Sequence, residues 1–220
     1  MIEAQKVSRY FDKAAVTFDS LYSENTMIPL IRFVNRNFRS DIYERFILSV
    51  EHVSKYKLNT ILDVGCGSGR YDYTIAKQGA KRVVGVDISS QMIDLAVKIT
   101  RTIENAENIF DFVCCDFMEY QTDETFDVII AMGLFDYVED PVSMLRKMQS
   151  MAHHSVIASF PSTSFYRTPI RKVRYYFKQC PLHFYNPDKI NLLSSQAGFD
   201  KNRITKIKGA GMDYFVAFFK

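Results

Sequence analysis

The sequence predicts an α/β protein: a mostly parallel sheet with helices on both faces, a reversed last strand, and a helical cap before the first strand. Three observations carry this. From Asn59 onward, short β-branched runs alternate with helical patterns. Those runs are apolar over four to six residues, which suits strands covered on both faces, as in a parallel sheet. The last two runs have no helix between them, so the chain turns back on itself there.

In order, "TILDV" is followed by a helix through "RYDYTIAKQG", then "RVVGVDI" and a helix through "SQMIDLAVKITRTI". "FDFVCCD" and "FDVIIAM" come next, then a helix through "PVSMLRKMQSM" and the run "SVIASF". A helix through "PDKINLLSSQAG" leads to "RITKIK", and "DYFVAFFK" closes the chain after a turn around "GAGMD". Before Asn59 the pattern is helical, at roughly 4–20 and 28–56, and these helices are expected to pack over the ligand edge of the sheet. The expected organisation is a helical cap over 1–57 and a core over 58–220, with a lid at 161–186. The second cap helix, amphipathic with interleaved arginines, reads as a packing helix first and a membrane or dimer surface second.

At 220 residues and 47% apolar, the chain can bury a sizeable core and is not a disordered segment. Twenty-eight basic against twenty-five acidic residues is too mild an excess for an obligate nucleic-acid binder. The four cysteines, Cys66, Cys114, Cys115 and Cys180, form no CxxC pair, so neither a disulfide framework nor a metal site is expected. The N-terminus lacks an apolar signal core, and no uncharged stretch reaches the roughly 20 residues that cross a bilayer. The expectation is a soluble, cytoplasmic protein.

The chemistry starts at "ILDVGCGSGR". Gly65, Gly67 and Gly69 sit where a strand ends and a helix begins, where glycine lets a ligand lie against the backbone. Asp87 ends the next run about 20 residues on, the place for a carboxylate that accepts both hydroxyls of a ribose. The spacing is G-x-G-x-G rather than G-x-G-x-x-G, and no GK[ST] follows. The loop suits an adenosine without a pyrophosphate cradle.

"ILDVGCGSG", "VVGVDIS", "CCDF" and "FDVIIAMGLFDYV", in this order and spacing, resemble the successive motifs of class I S-adenosylmethionine-dependent methyltransferases. That resemblance implies a Rossmann-like, seven-stranded sheet and S-adenosylmethionine as cofactor. It also implies roles. Asp63 and the Gly65 backbone would hold the methionine ammonium, Asp87 the ribose, and Ile88 would pack on the adenine. Asp116 would accept from the adenine amino group beside Phe117, and Ala131 and Met132 would lie under the methionine. Met92 lines the adenine pocket or is plain core. Cys66 is a small buried filler rather than a nucleophile. The segment "VSRYFDKAAVTFDSLYSE" resembles the entry segment of small-molecule enzymes of this family, quinone and tetrapyrrole O-methyltransferases among them. There Tyr10 and Tyr22 would close over the cofactor, while Phe11 and Phe18 seal the cap.

The acceptor is expected beyond the carboxyl ends of the fourth and fifth strands. Asp136 and Tyr137 follow the fourth. Asp136 is a candidate general base or positioning group; its plain alternative is a helix cap, a job for which Asp140 is better placed. After the fifth strand, Pro161 to Asn186 holds five basic residues and no acidic one. His183, Tyr185, Tyr166 and Arg167 are pocket candidates there, with Arg171 and Arg174 on an aromatic, amphipathic stretch. Three uses of that stretch stay open: binding an acidic or lipid-linked acceptor, lying on an anionic membrane, or a solvated helix. His183 is equally well read as a core histidine. His153 and His154 precede the fifth strand, at the wrong end of the sheet.

The fourth motif reads "AMGLFDY", not the Asn/Asp-Pro-Pro-aromatic run of amino-methylating relatives. The expected function is methyl transfer to a small-molecule acceptor, on a hydroxyl or carboxylate oxygen, with no nucleic-acid partner. A non-catalytic cofactor-binding protein and a nucleotide-dependent oxidoreductase are the alternatives.

Overall fold

In the computed structural model, the described residues are 7–12, 40–56, 60–163, 182–207 and 213–220. Seven strands form one sheet: β1 (Thr60–Val64), β2 (Arg82–Asp87), β3 (Phe110–Cys114), β4 (Phe126–Ala131), β5 (Ala152–Phe160), β6 (Lys201–Lys206) and β7 (Tyr214–Phe219). Their order is β3-β2-β1-β4-β5-β7-β6. β1 to β5 pair in parallel, and β7 is antiparallel to both β5 and β6. The expected sheet is therefore present. The reversed strand lies one place in from the edge, because β6 takes the outer position.

Six helices are described: α1 (Ser40–Ser54), α2 (Arg70–Lys77), α3 (Ser90–Thr100), the single turn α4 (Ala106–Ile109), α5 (Pro141–Met151) and α6 (Pro187–Ala197). Residues 7–12 are also helical. Local chemistry explains several ends. Ser89, Asp140 and Asn186 cap α3, α5 and α6 by accepting the amides of Met92, Ser143 and Lys189, and proline opens α5 and α6 where its missing N–H costs nothing. Gly198 closes α6 in the left-handed conformation.

Alternation along the strands sends Leu62, Val64, Ile129, Val156 and Phe218 to a face covered by Leu145 and Met148 of α5 and by Ile190 and Leu193 of α6. Ile61, Val83, Ile130 and Ile157 point to the other face, under Val53 of α1 and Ile75 of α2. α1 thus differs from its expected place over the ligand edge. It lies along a sheet face, where Phe46 meets Tyr71 edge-on at 5.2 Å and His52 shares a 3.0 Å hydrogen bond with Ser155 of β5. Its apolar stripe is long enough to need a whole face of sheet rather than an edge. Of the described cap, 7–12 docks at the ligand edge, and α1 reaches that edge only through Arg45. No described helix is long and apolar enough to cross a membrane.

Strand order reverses between β1 and β4, and in open α/β sheets the crevice beyond the carboxyl ends there takes the ligand. Leu134, just after β4, lies across it: a Cβ built on Gly65 would stand 3.3 Å from Leu134 Cδ1.

Candidate active site

The glycine loop leaves β1 and enters α2 with Gly65, Gly67 and Gly69 all at positive φ. Gly69 is the most constrained, because an added Cβ would come within 2.9 Å of Ala96 Cβ on α3. Gly85, in mid-β2, has a packing reason instead. Its missing Cβ makes room for the Phe112 ring and for Cys66 Sγ. Cys66 is fully enclosed there, and burial together with the surrounding carboxylates pushes its thiol well up. It fills the space left by the missing Gly85 Cβ.

Asp87 binds the loop rather than standing apart from it. Its Oδ2 accepts the Gly67 amide at 2.9 Å and its Oδ1 accepts the Ser89 amide at 2.9 Å. Burial raises its pKa, and these backbone bonds oppose the rise. The N-terminal stretch docks on the same turn: Ser8 Oγ donates to the Ile88 carbonyl at 3.2 Å, and Ser89 Oγ donates to Asp12 Oδ1 at 2.6 Å. Tyr10 rests edge-on against Phe11 at 5.0 Å, and Phe11 meets Tyr137 at 5.5 Å. One short helical stretch therefore joins the end of β2 to the segment after β4.

Asp116 follows β3 and accepts the Met118 amide at 2.9 Å, closing a tight turn. Lys147 Nζ, from α5, fixes that turn by donating to the carbonyls of Phe117, Met118 and Tyr120 at 2.7, 2.9 and 2.6 Å. Met92 is wholly buried in the first turn of α3, and Ala131 is wholly buried at the end of β4. Met132 is half-buried beside it.

A second buried acid, beside Asp63, carried no sequence signal. Asp63 on β1 and Asp72 in the first turn of α2 are both enclosed beneath the glycine loop. Among the described residues, no amide, hydroxyl or cationic donor reaches either Asp72 oxygen. Burial and the neighbouring carboxylates Asp72 and Asp87 raise Asp63 well above the ordinary carboxylate range. Burial pushes Asp72 up to about 7. Two enclosed carboxyls without a matching cation among the described residues fit a site that receives a positively charged group.

Beyond β4 and β5, the acceptor candidates converge. Asp136 is 6% exposed, and its carbonyl accepts the His183 amide at 2.9 Å. Tyr185 donates its amide to the Pro161 carbonyl at 2.9 Å, which attaches this segment to the end of β5. Burial, then the charge of Asp136, raises the Tyr185 phenol. His183 Nε2 and Tyr185 Oη are buried with no hydrogen-bond partner. Asp140 caps α5, so the plain alternative for Asp136 falls to its neighbour. Tyr22, Tyr166, Arg167, Arg171 and Arg174 lie outside the described residues.

Two further residues at this edge carried no sequence signal. Ser159 Oγ accepts the Gly133 amide at 2.7 Å and an Arg45 Nη1 bond at 3.2 Å, so α1 reaches the ends of β4 and β5. At the opposite end, a β-bulge sets His153 and His154 against Asp127. Asp127 Oδ2 accepts the Thr60 amide at 3.0 Å, and Tyr56 stacks on His154. This group is far from the ligand crevice, as its place before the fifth run implied.

The sheet order, the glycine loop with its acid and the turn after β3 resemble those of class I S-adenosylmethionine-dependent methyltransferase domains. Residues 61–154 match the methyltransferase domain family. The fold is similar to that of magnesium protoporphyrin IX methyltransferase from Synechocystis PCC 6803, solved with bound S-adenosylhomocysteine: TM-score 0.79 and 20% identity, covering 98% of this chain and 99% of that one. In sequence the chain is 27% identical over 208 residues to the mitochondrial ubiquinone biosynthesis O-methyltransferase of Dictyostelium discoideum, covering 84% of this chain and 64% of the relative. It is 31% identical over 101 residues to the tRNA U34 carboxymethyltransferase of Alteromonas mediterranea, covering 44% of this chain and 30% of that protein. The chain thus spans less than two thirds of the length of these curated relatives.

Proposed function

We propose that the protein transfers a methyl group from S-adenosylmethionine to an oxygen of a small-molecule acceptor. The observation that carries this is the meeting of Asp136, His183 and Tyr185 beyond β4 and β5, with His183 Nε2 and Tyr185 Oη buried and unpaired. Buried polar atoms without partners are expensive, and an acceptor hydroxyl or carboxylate would satisfy them. The cofactor reading is supported by the matched domain, by the glycine loop joined to Asp87, and by the Asp63–Asp72 pair, which suits the methionine ammonium.

The bound cofactor supplies an already activated methyl group. The protein therefore chiefly has to orient the acceptor and exclude water, a contribution of roughly 7–11 kcal/mol. Leu134 and residues 7–12 cover the crevice. A general base adds about 10²–10⁴-fold; His183 is the base for a hydroxyl acceptor, with Asp136 and Tyr185 beside it. A carboxylate acceptor needs no base, and the arginines of 161–186 would hold it. That basic, aromatic stretch suits an acidic or lipid-linked acceptor, and the mild overall charge speaks against nucleic acid.

Calorimetric titration with S-adenosylmethionine, S-adenosylhomocysteine and NAD tests the cofactor. Micromolar binding of the first two alone supports the reading, and preference for NAD would move the protein to an oxidoreductase. A radiolabelled methyl-transfer screen over phenols, quinols and porphyrin carboxylates then tests the acceptor. Turnover of an amine or an RNA instead would overturn oxygen transfer to a small molecule. Arg171→Glu with Arg174→Glu should impair turnover while sparing cofactor affinity.

A further inference from the structure

The Asp63–Asp72 pair does more than provide negative charge. Asp72 is fully enclosed, with neither oxygen receiving a donor, although the fold offers amides and hydroxyls to the other acids nearby. Asp87 takes two backbone amides, Asp116 takes one and Asp12 takes the Ser89 hydroxyl. What Asp72 meets instead is the Asp63 carboxyl, within hydrogen-bond reach. Two carboxyl groups can share a hydrogen bond only when one of them carries a proton. Leaving both ionised in a dry site would cost more than the fold can supply. The charges acting on Asp63 come from the carboxylates of Asp72 on α2 and Asp87 on β2. Among the described residues, the Cys66 thiol also faces these carboxyls, and it stays neutral. Asp12, from the N-terminal stretch, bears on Asp87 from outside.

We propose that Asp72 and Asp63 together form the cationic-group pocket of the cofactor site: in the free protein they share one proton, and the ammonium of the ligand replaces it, releasing that proton to solvent. This rests on the cofactor reading above and goes beyond it. Asp72 becomes a positioning residue that acts through Asp63, and cofactor affinity acquires a dependence on pH near neutrality. The sign follows from the release: raising the pH removes the proton that the ligand must otherwise displace, so affinity rises with pH. One proton released per ligand makes affinity rise by up to about tenfold per pH unit over the range in which the pair still holds its proton.

The test is calorimetry with S-adenosylhomocysteine at pH 6.5, below the usual range of an α-amino group, in two buffers of different ionisation enthalpy. The difference in heat counts protons. About one proton released per ligand is expected for the natural protein at this pH. Asp72→Asn, close to isosteric, should cut the release to a small fraction and flatten the pH dependence of affinity. A purely structural role would shift affinity without moving the proton count. Binding with no proton released overturns the proposal and leaves the cofactor reading standing. Undiminished release from Asp72→Asn places the proton elsewhere and also overturns it. If the natural protein binds no S-adenosylhomocysteine, the cofactor reading fails and the proposal with it. The buffer comparison on the natural protein decides the matter even where the variant does not fold.

Discussion

The Asp87 carboxylate accepts the Gly67 amide at 2.9 Å, so the acid at the end of β2 and the glycine loop after β1 form one unit. The bond spans 20 residues of chain and fixes the distance between the two parts of the proposed adenosine cradle.

Replacing Asp87 by alanine should therefore damage the cradle twice, by removing the proposed ribose contact and by releasing the loop. Affinity for S-adenosylhomocysteine is expected to fall at least tenfold, or about 1.4 kcal/mol, by calorimetry on a variant whose circular dichroism is unchanged. Unaltered affinity would displace the ribose site from β2.

Gly67 and Gly69 share a left-handed backbone but not their surroundings. An alanine at 67 meets open space, whereas one at 69 meets Ala96 at 2.9 Å. Gly67→Ala should cost only the backbone strain, about 1–2 kcal/mol. Gly69→Ala should add overpacking and reach roughly 2–4 kcal/mol. Denaturant titrations of the two variants rank them directly, and equal losses would contradict the packing of α3 on the loop.

His52 is buried between α1 and the sheet and bonded to Ser155, and burial lowers its pKa to about 4. Its unfolded value is near 6.5. Between those values the unfolded chain binds more protons, so stability is complete above about pH 6.5 and declines as pH falls toward 4. At pH 5 this amounts to about 2 kcal/mol. The difference in unfolding free energy between pH 7 and pH 5 should shrink by about that much in His52→Gln. An identical difference would mean that the imidazole is already charged in the fold.

Lys147 holds three carbonyls of the turn after Asp116. Lys147→Ala should lower stability by roughly 1.5–3 kcal/mol, the range of hydrogen bonds to a charged group. Hydrogen exchange should accelerate at residues 117–120 more than elsewhere. Exchange unchanged in that turn would show that the turn holds itself.

How far the sequence reached differs from element to element. The runs at Thr60–Val64 and Arg82–Asp87 are legible because burial on both faces leaves an unbroken apolar pattern. The glycine loop is legible because only glycine accepts that backbone at 65, 67 and 69. The place of α1 was not legible. Its amphipathic pattern announces a buried stripe but not which surface covers it, and the helix lies along the sheet face instead of over its edge. Arg45 and Ser159, 114 residues apart, meet for the same unannounced reason.

By itself, then, the sequence determined the order and type of the elements, the glycine–acid cradle and the class of enzyme it resembles, since these depend on local periodicity and on residues close in the chain. Only the tertiary structure decided that Asp72 stands against Asp63, that His183 and Tyr185 join Asp136, and that residues 7–12 dock on the turn after β2. Those contacts depend on how helices register against a twisted sheet. The energy that sets the register is side-chain packing summed over a whole face, which no local stretch of sequence encodes.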